Sequence, residues 1–451
     1  MNERQIILKH AATVLVGQLA VVAFGVSDTL IAGRYDPQAL AVLSVSAAIY
    51  ITVYVALLGV LQALLPFFAE LYGAKNLVDI GKTFHQGIYI WLLLCILGVF
   101  VLVSPQLFLN WTDVPVDLQK QSISYLSLLA FALPPALFFR LYSSLNQSLG
   151  KPQLVTWIQA GALLIKIPLS VLLTFGSEDI PAQGLMGCAM GTVMVNYTMM
   201  AVALWSLKTN TLYATLKIWR HLDLPNWPKI RQMAVVGLPN GLSVTVEVTS
   251  FTLMALFIAR LGTTAAASHQ IASNMAALCY MVPLSFSIAI SARISFWRGA
   301  ENFVAMRQAM MIGFQFVMGL AIAISTVIWI FHSEIAHLYA KDDKVAQMAS
   351  ELLLLIAAYH LVDAMQTLCF FVLRSFKITI APMLVYSIML WGVGLPGGYL
   401  LAYQGLWGVS ALLAPNAFWL MSILALIFVC GALIYLIQIS LKQQAQDAQY
   451  Q

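Results

Sequence analysis

Residues 233–259 read MAVVGLPNGLSVTVEVTSFTLMALFIA, an apolar stretch broken by one charge, Glu247, near its middle. At 1.5 Å per residue, a helix of this length crosses a hydrocarbon core of about 30 Å. Two more apolar stretches hold an acid deep in their interior: Asp28 in 10–33 and Asp363 in 346–373. A carboxylate at the centre of a spanning helix costs roughly 2.5–3.5 kcal/mol on insertion, so such groups line cavities, ion paths or proton relays. Three of them point to a membrane transporter that binds cations.

The rest of the chain agrees. Of its 451 residues, 61% are hydrophobic and 9% are charged, and mean hydropathy is +0.87. A soluble surface needs far more charge. The apolar stretches run to about 20 residues or more, whereas barrel strands alternate over about 10, so the fold class is an all-α polytopic membrane protein. About twelve spans are expected, near 10–33, 39–69, 84–104, 119–146, 153–176, 183–207, 233–259, 264–294, 305–331, 346–373, 380–403 and 406–438. The first follows a charged start without a cleavage site and reads as an uncleaved helix.

Several classes drop out. The formal charge of +5 is spread over loops with no dense basic run, so no nucleic-acid partner is expected. Cys95, Cys188, Cys279, Cys369 and Cys430 all lie within spans and form no C-x-x-C, so they read as small core residues. No P-loop, H-E-x-x-H or usable G-x-S-x-G occurs, so neither an enzyme nor a resident cofactor is expected.

The most polar connection, 208–232, carries Lys208, Lys217, Arg220, Lys229 and Arg231. It divides the chain into an N-terminal six-helix lobe (1–207), a cytoplasmic linker (208–232), a C-terminal six-helix lobe (233–438) and a cytoplasmic tail (439–451). With the N-terminus inside, 17 of the 23 Lys and Arg fall on inner segments and 5 on outer ones, Lys166 lying within a span. That bias places both termini in the cytoplasm. The halves also repeat. GAKN at 73–76 is answered by GAEN at 299–302, Gly87 by Gly313, and QGLMG at 183–187 by QGLWG at 404–408. An even number of spans per half makes this a parallel repeat, with a binding site expected near the midplane.

Several motifs stand in one order along the chain: GVSDTLIAG (25–33), GLPNG (237–241), VEVTSF (246–251), HQIASN (269–274), YHLVDAMQ (359–366), LRSFK (373–377) and GLPGGY (394–399). In these the chain resembles the multidrug and toxic compound extrusion (MATE) family, most of all its NorM-like branch, over nearly its whole length. The resemblance implies two pseudo-symmetric six-helix bundles arranged as a V, alternating access, and export of bulky organic cations in exchange for Na⁺ or H⁺. It also implies a bacterial inner membrane location. The expected partners are small organic cations and membrane lipids, and the protein is expected to act as a monomer.

By the same resemblance, Glu247 and Asp363 are the cation-binding acids of the C-terminal half, with Na⁺ held there if it is the coupling ion. Tyr280 and Tyr359 offer an aromatic face or hydroxyl to a bound cation. Tyr359 and His360 lie four and three residues before Asp363, on or beside its helix face. Asp28 is the matching acid of the N-terminal half. Its usual partner is an Asn-x-x-x-Asn pattern on the fifth helix, but here LIKIPLS (164–170) puts Lys166 and Ser170 in those places. One reading makes Lys166 a fixed internal cation that fills the N-terminal site. The other lets it run to the surface on its long apolar stem. The alternative function is a lipid-linked precursor flippase of related fold, which calls for a cationic cavity.

Overall fold

The computed structural model describes residues 2–106, 116–406, 408 and 410–447. Trp407, part of the second QGLWG, and the end of the tail lie outside them. The chain divides into two compact units. The first comprises Thr13–Gly241 and Phe296–Glu301, and the second Met1–Ala12, Leu242–Ser295 and Asn302–Gln451. Three of the four boundaries fall inside helices, the fourth lies between the helix ending at Gly299 and the one starting at Phe303, and all of 208–232 belongs to the first unit.

The first part of the chain forms α1 (Glu3–Tyr35), α2 (Pro37–Gln62), α3 (Leu65–Gly73), α4 (Leu77–Val103), α5 (Val116–Ala130), α6 (Leu133–Ser148), α7 (Pro152–Phe175), α8 (Leu185–Thr209) and the short α9 (Thr211–Ala214). Then come α10 (Trp227–Ala259), α11 (Thr263–Gly299), α12 (Phe303–Tyr339), α13 (Asp343–Ser375), α14 (Ile380–Ile388), a π-helical turn at Met389–Gly394, α15 (Leu395–Tyr403) and α16 (Asn416–Asp447). Eleven of the described spans are long and apolar enough to cross a membrane, and the bent pair α5–α6 makes twelve.

Prolines account for the breaks. Pro134 and Pro135 enter the first turn of α6, where α5 and α6 meet at 45°. A proline has no N–H for the preceding turn, so the helix restarts there. Pro66 does the same at the start of α3. Pro168, Pro239 and Pro283 are carried inside α7, α10 and α11. In the eleventh span the π-turn lies just before Pro396 and takes up the register that its missing donor disturbs.

Several expected boundaries move: the first, third and seventh spans start earlier, at Glu3, Leu77 and Trp227, and the twelfth runs on to Asp447. The ninth helix was expected to stop at 331; it continues to Tyr339, but Phe331 sits at φ −105°, ψ 19°, where the helix kinks. The twelfth was expected from 406 but starts at Asn416. Gly405, Gly408 and Leu413 adopt positive φ and interrupt a helix that composition alone would extend.

The internal repeat reaches the backbone. Lys75 and Glu301, 226 residues apart, both adopt left-handed φ (58° and 55°) at the ends of α3 and α11. Gly150 and Lys377 correspond in the same way, as do Gly184 and Gly405. Within the first unit, the ends of α3 and α11 cross at matching glycines. A β-carbon on Gly73 would run into the Phe296 carbonyl, and one on Gly299 into the Glu70 carbonyl. Arg298 Nη2 reaches Glu70 Oε2 at 2.7 Å beside this crossing. Gly299→Ala should therefore lower the thermal midpoint, costing about 1–3 kcal/mol as overpacking against rigid backbone. Gly319→Ala, with open space at its β-carbon, should leave the midpoint unchanged or raise it slightly.

The GLPNG turn of α10 packs on α2 by the same device. Gly241 lies against Gly59, Gly237 against Val60, and Asn240 Nδ2 donates to the Gly59 carbonyl at 2.7 Å. In the second unit α13 is the helix most enclosed by protein: 67% of its apolar window is buried, against 22% for α12. Asp363 rides on this interior helix.

Candidate functional site

In the first unit, Asp28 of α1 meets Lys166 of α7. Lys166 Nζ lies 2.8 Å from Asp28 Oδ1 and 2.7 Å from Thr192 Oγ1 of α8. Thr192 in turn donates to the Cys188 carbonyl at 3.0 Å. Lys166 is 1% exposed, so its stem does not carry the charge to a membrane surface. The approach is built from small residues. Gly187 packs on the backbone at Leu173–Thr174, and Gly191 faces Ser170 Oγ. Such small-residue contacts bring helix backbones close inside a membrane. Ser170 is fully buried, and its hydroxyl has no hydrogen-bond partner among the described residues. A buried pair holds its charges in place while both partners remain, and loss of one strands the other.

The second unit is arranged differently. Glu247 of α10 and Asp363 of α13 lie within electrostatic reach of each other, with Tyr280 of α11 and Tyr359 of α13 close to both. Neither acid forms an ion pair with a basic side chain among the described residues. The Tyr386 hydroxyl, from α14, faces the Glu247 carboxyl, and Tyr280 faces Thr367. Asp363 is buried and Glu247 half-buried. Beside them, Tyr359, Phe251 and Trp419 form an aromatic nest, with ring centroids 5.2 Å apart for Tyr359–Trp419 and 6.3 Å for Phe251–Tyr359. His269 adds a ring 5.7 Å from Trp419. His360 is buried on α13, and its Nε2 has no hydrogen-bond partner among the described residues. Arg374, near the end of α13, sits 3.8 Å over the Phe371 ring.

These two clusters differ in charge design. Asp28 already holds an amine, whereas Glu247 and Asp363 confront each other. No group of three or more His, Cys, Asp or Glu suited to a metal occurs among the described residues. A small cation between the two acids would complete its shell with neutral oxygens such as the Tyr386 hydroxyl, the donor chemistry that hard cations take.

Sequence reading missed Thr192, Tyr386, Thr367 and Trp419. Thr192 left a faint signal, because Asn196 Nδ2 bonds its carbonyl and the two make a polar i,i+4 pair in an apolar span. Tyr386 and Trp419 gave none, since a single aromatic residue in a membrane helix is ordinary.

Broken apolar helices repeated twice along the chain, with carboxylates held inside each unit, define a polytopic membrane transporter. The chain belongs to the MatE family, whose model matches residues 14–172 and 239–400. It is 35% identical to the probable multidrug resistance protein NorM of Aromatoleum aromaticum, over 88% of this chain and 85% of that one. It is 31% identical to the multidrug resistance protein MdtK of Yersinia pestis, over 94% and 93% of the two chains. Its fold matches that of the eukaryotic MATE transporter AtDTX14 with a TM-score of 0.87 and 17% identity, over 99% and 98% of the two chains.

Proposed function

We propose that the protein is a cation-coupled antiporter that exports amphipathic organic cations by alternating access, with Na⁺ or H⁺ as the returning ion. The observation that carries this reading is the contrast between the two acid clusters. Glu247 and Asp363 approach each other without a basic partner among the described residues, while Asp28 is held by Lys166 at 2.8 Å. Two facing carboxylates need a cation. A proton, Na⁺ or an ammonium-type drug each meets that need, and only one occupies it at a time, so the fluxes are coupled. Tyr359, Phe251 and Trp419 supply greasy, polarisable walls that tolerate varied shapes. The names of the NorM and MdtK relatives support a multidrug cargo.

Each cation returning inward releases about 2.3 kcal/mol per 100 mV, plus its concentration gradient. The inner bias of Lys and Arg supports cytoplasmic termini in a bacterial inner membrane. Surrounding lipids and monomeric action complete the reading. Lys166 acts as a tethered cation that keeps the first unit out of the coupling cycle. The flippase alternative is set aside, because the second unit's interior site is acidic.

The test uses purified protein in liposomes with a fluorescent organic cation such as ethidium. A Na⁺ gradient or a pH gradient, imposed separately, should drive its accumulation against concentration. Transport indifferent to both gradients would end the antiport reading.

A further inference from the structure

Between α9 and α10, residues 215–226 run as a non-helical strap along the first turns of α4, within the first unit. A β-carbon on Gly81 would run into the Leu216 carbonyl, so the strap lies flat on the helix there. His85 Nε2 donates to the Ile218 carbonyl at 2.7 Å, and its Nδ1 lies 2.8 Å from the Asp223 carboxylate. The Tyr89 hydroxyl donates to the Asp223 carbonyl at 2.9 Å. Gln86 donates to the Leu224 carbonyl at 3.1 Å and accepts from the Asn226 N–H at 2.7 Å. Just ahead of the strap, the buried Tyr213 donates to Asn146 of α6 at 2.6 Å.

This arrangement is inverted for a loop in water. Tyr213, Leu216 and Ile218 turn inward, but Trp219 and Leu222 are exposed, Leu224 is 85% exposed, and Trp227 at the start of α10 is 72% exposed. Clustered outward apolar groups mark a surface that meets another phase or a partner. Depth decides which. A hydrocarbon core takes up about 20 residues of helix, and counting that number back from Val103 at the far end of α4 reaches Phe84. His85, Gln86 and Tyr89 therefore stand at the edge of the hydrocarbon, and the strap they hold lies at headgroup level. Irregular backbone at that depth needs partners for its polar groups, and these three side chains supply them. Tryptophan collects at the same level.

Charge completes the surface. Lys217, Arg220, Lys229 and Arg231 alternate along the chain with the exposed apolar residues, and none forms an ion pair among the described residues. The one acid of this stretch, Asp223, is held by His85. We propose that 215–231 is a docking surface for anionic phospholipid, with the tryptophans and leucines among the acyl chains and the four cations on the headgroup phosphates. The inference goes beyond the transport reading and rests on the membrane placement of α4.

The experiment uses the full-length protein with Leu222→Cys, labelled there with the fluorophore NBD, the native cysteines being buried. Single copies are placed in phosphatidylcholine nanodiscs containing a minor fraction of phosphatidylglycerol or phosphatidylcholine with nitroxide-labelled chains. Both should quench the label, the phosphatidylglycerol at a mole fraction at least about tenfold lower. Arg220→Gln should reduce that preference by about fivefold at low ionic strength, and glutamine at all four cations should bring the two lipids level. If the glutamine variants prove unstable, about 0.5 M NaCl should erase the preference of the wild-type surface by screening, while quenching by phosphatidylcholine persists. No quenching by either lipid would place the strap in water and overturn the proposal. Equal quenching by the two lipids would also overturn it, as would a preference unmoved by both salt and charge removal. Shielding of the label that arises only with two copies per disc would assign the surface to a second copy instead. The discs carry the same lipid in both leaflets and need neither gradient nor cargo, so a failure here counts against this surface alone. The antiport reading stands or falls separately on the ethidium assay.

Discussion

Asp363→Asn should abolish gradient-driven efflux of organic cations while leaving the protein folded. Asparagine preserves the shape and hydrogen-bonding capacity of the side chain but not its charge. The acid is buried on the most enclosed helix, faces Glu247, and has Tyr280 and Tyr359 at hand. Loss of one charge-assisted interaction costs about 1.5–3 kcal/mol, so affinity for a fluorescent organic cation should fall roughly 10- to 100-fold. Relieving the repulsion between the two acids should also hold or raise the thermal midpoint. Glu247→Gln should act in the same direction with a smaller effect, because Glu247 is half-buried and keeps Tyr386 beside it. Tyr386→Phe removes that hydroxyl and should weaken Na⁺ dependence more than drug binding. Paired measurements of cation binding and thermal unfolding on the four proteins check these outcomes. A destabilised Asp363→Asn with normal transport would assign the residue to helix packing alone.

The second large effect is expected at Lys166. Lys166→Asn leaves Asp28 in the interior without its amine, and stranding one member of a buried pair costs roughly 3–5 kcal/mol. The thermal midpoint should fall sharply. Asp28→Asn alone should do comparable damage by stranding Lys166. The double replacement, Asp28→Asn with Lys166→Asn, removes both charges together and should recover most of the loss. Transport gives an independent reading. If Lys166 occupies the cation position of the first unit, Lys166→Asn opens that position at Asp28, and the dependence of efflux on Na⁺ or pH should steepen. Unchanged stability and unchanged coupling would show that the 2.8 Å contact contributes to neither.

Much of the fold was legible from composition. Apolar stretches of spanning length have few solutions other than helices, because lipid offers no partner for an unpaired backbone group. The order of spans and the repeat followed. The ends of the ninth and twelfth helices did not. Hydropathy continues through Phe331 and across 406–415, and what interrupts the helices there is backbone geometry at Phe331, Gly405, Gly408 and Leu413. The close crossing of Gly73 and Gly299 was visible only as a repeated tetrapeptide, since which backbone lies above a glycine is a property of three dimensions.

The acids stood out because charge in an apolar run is rare. Lys166 stood out for the same reason, but sequence left two placements open, and only the contact with Asp28 and Thr192 decides between them. Thr192 left only a faint signal, and Tyr386 and Thr367 left none, because hydroxyl groups and single aromatic rings are common in membrane helices.

The central claim is that Glu247 and Asp363 hold either a driving ion or an organic cation, never both. Equilibrium binding of tetraphenylphosphonium to the purified protein, measured across Na⁺ concentrations at fixed pH and across pH without Na⁺, tests it most directly. The apparent Kd should rise in proportion to the competing ion, with a slope of one on logarithmic axes, and the dependence should disappear in Asp363→Asn. A Kd indifferent to both Na⁺ and protons in the wild type, or a dependence that survives in Asp363→Asn, would contradict it.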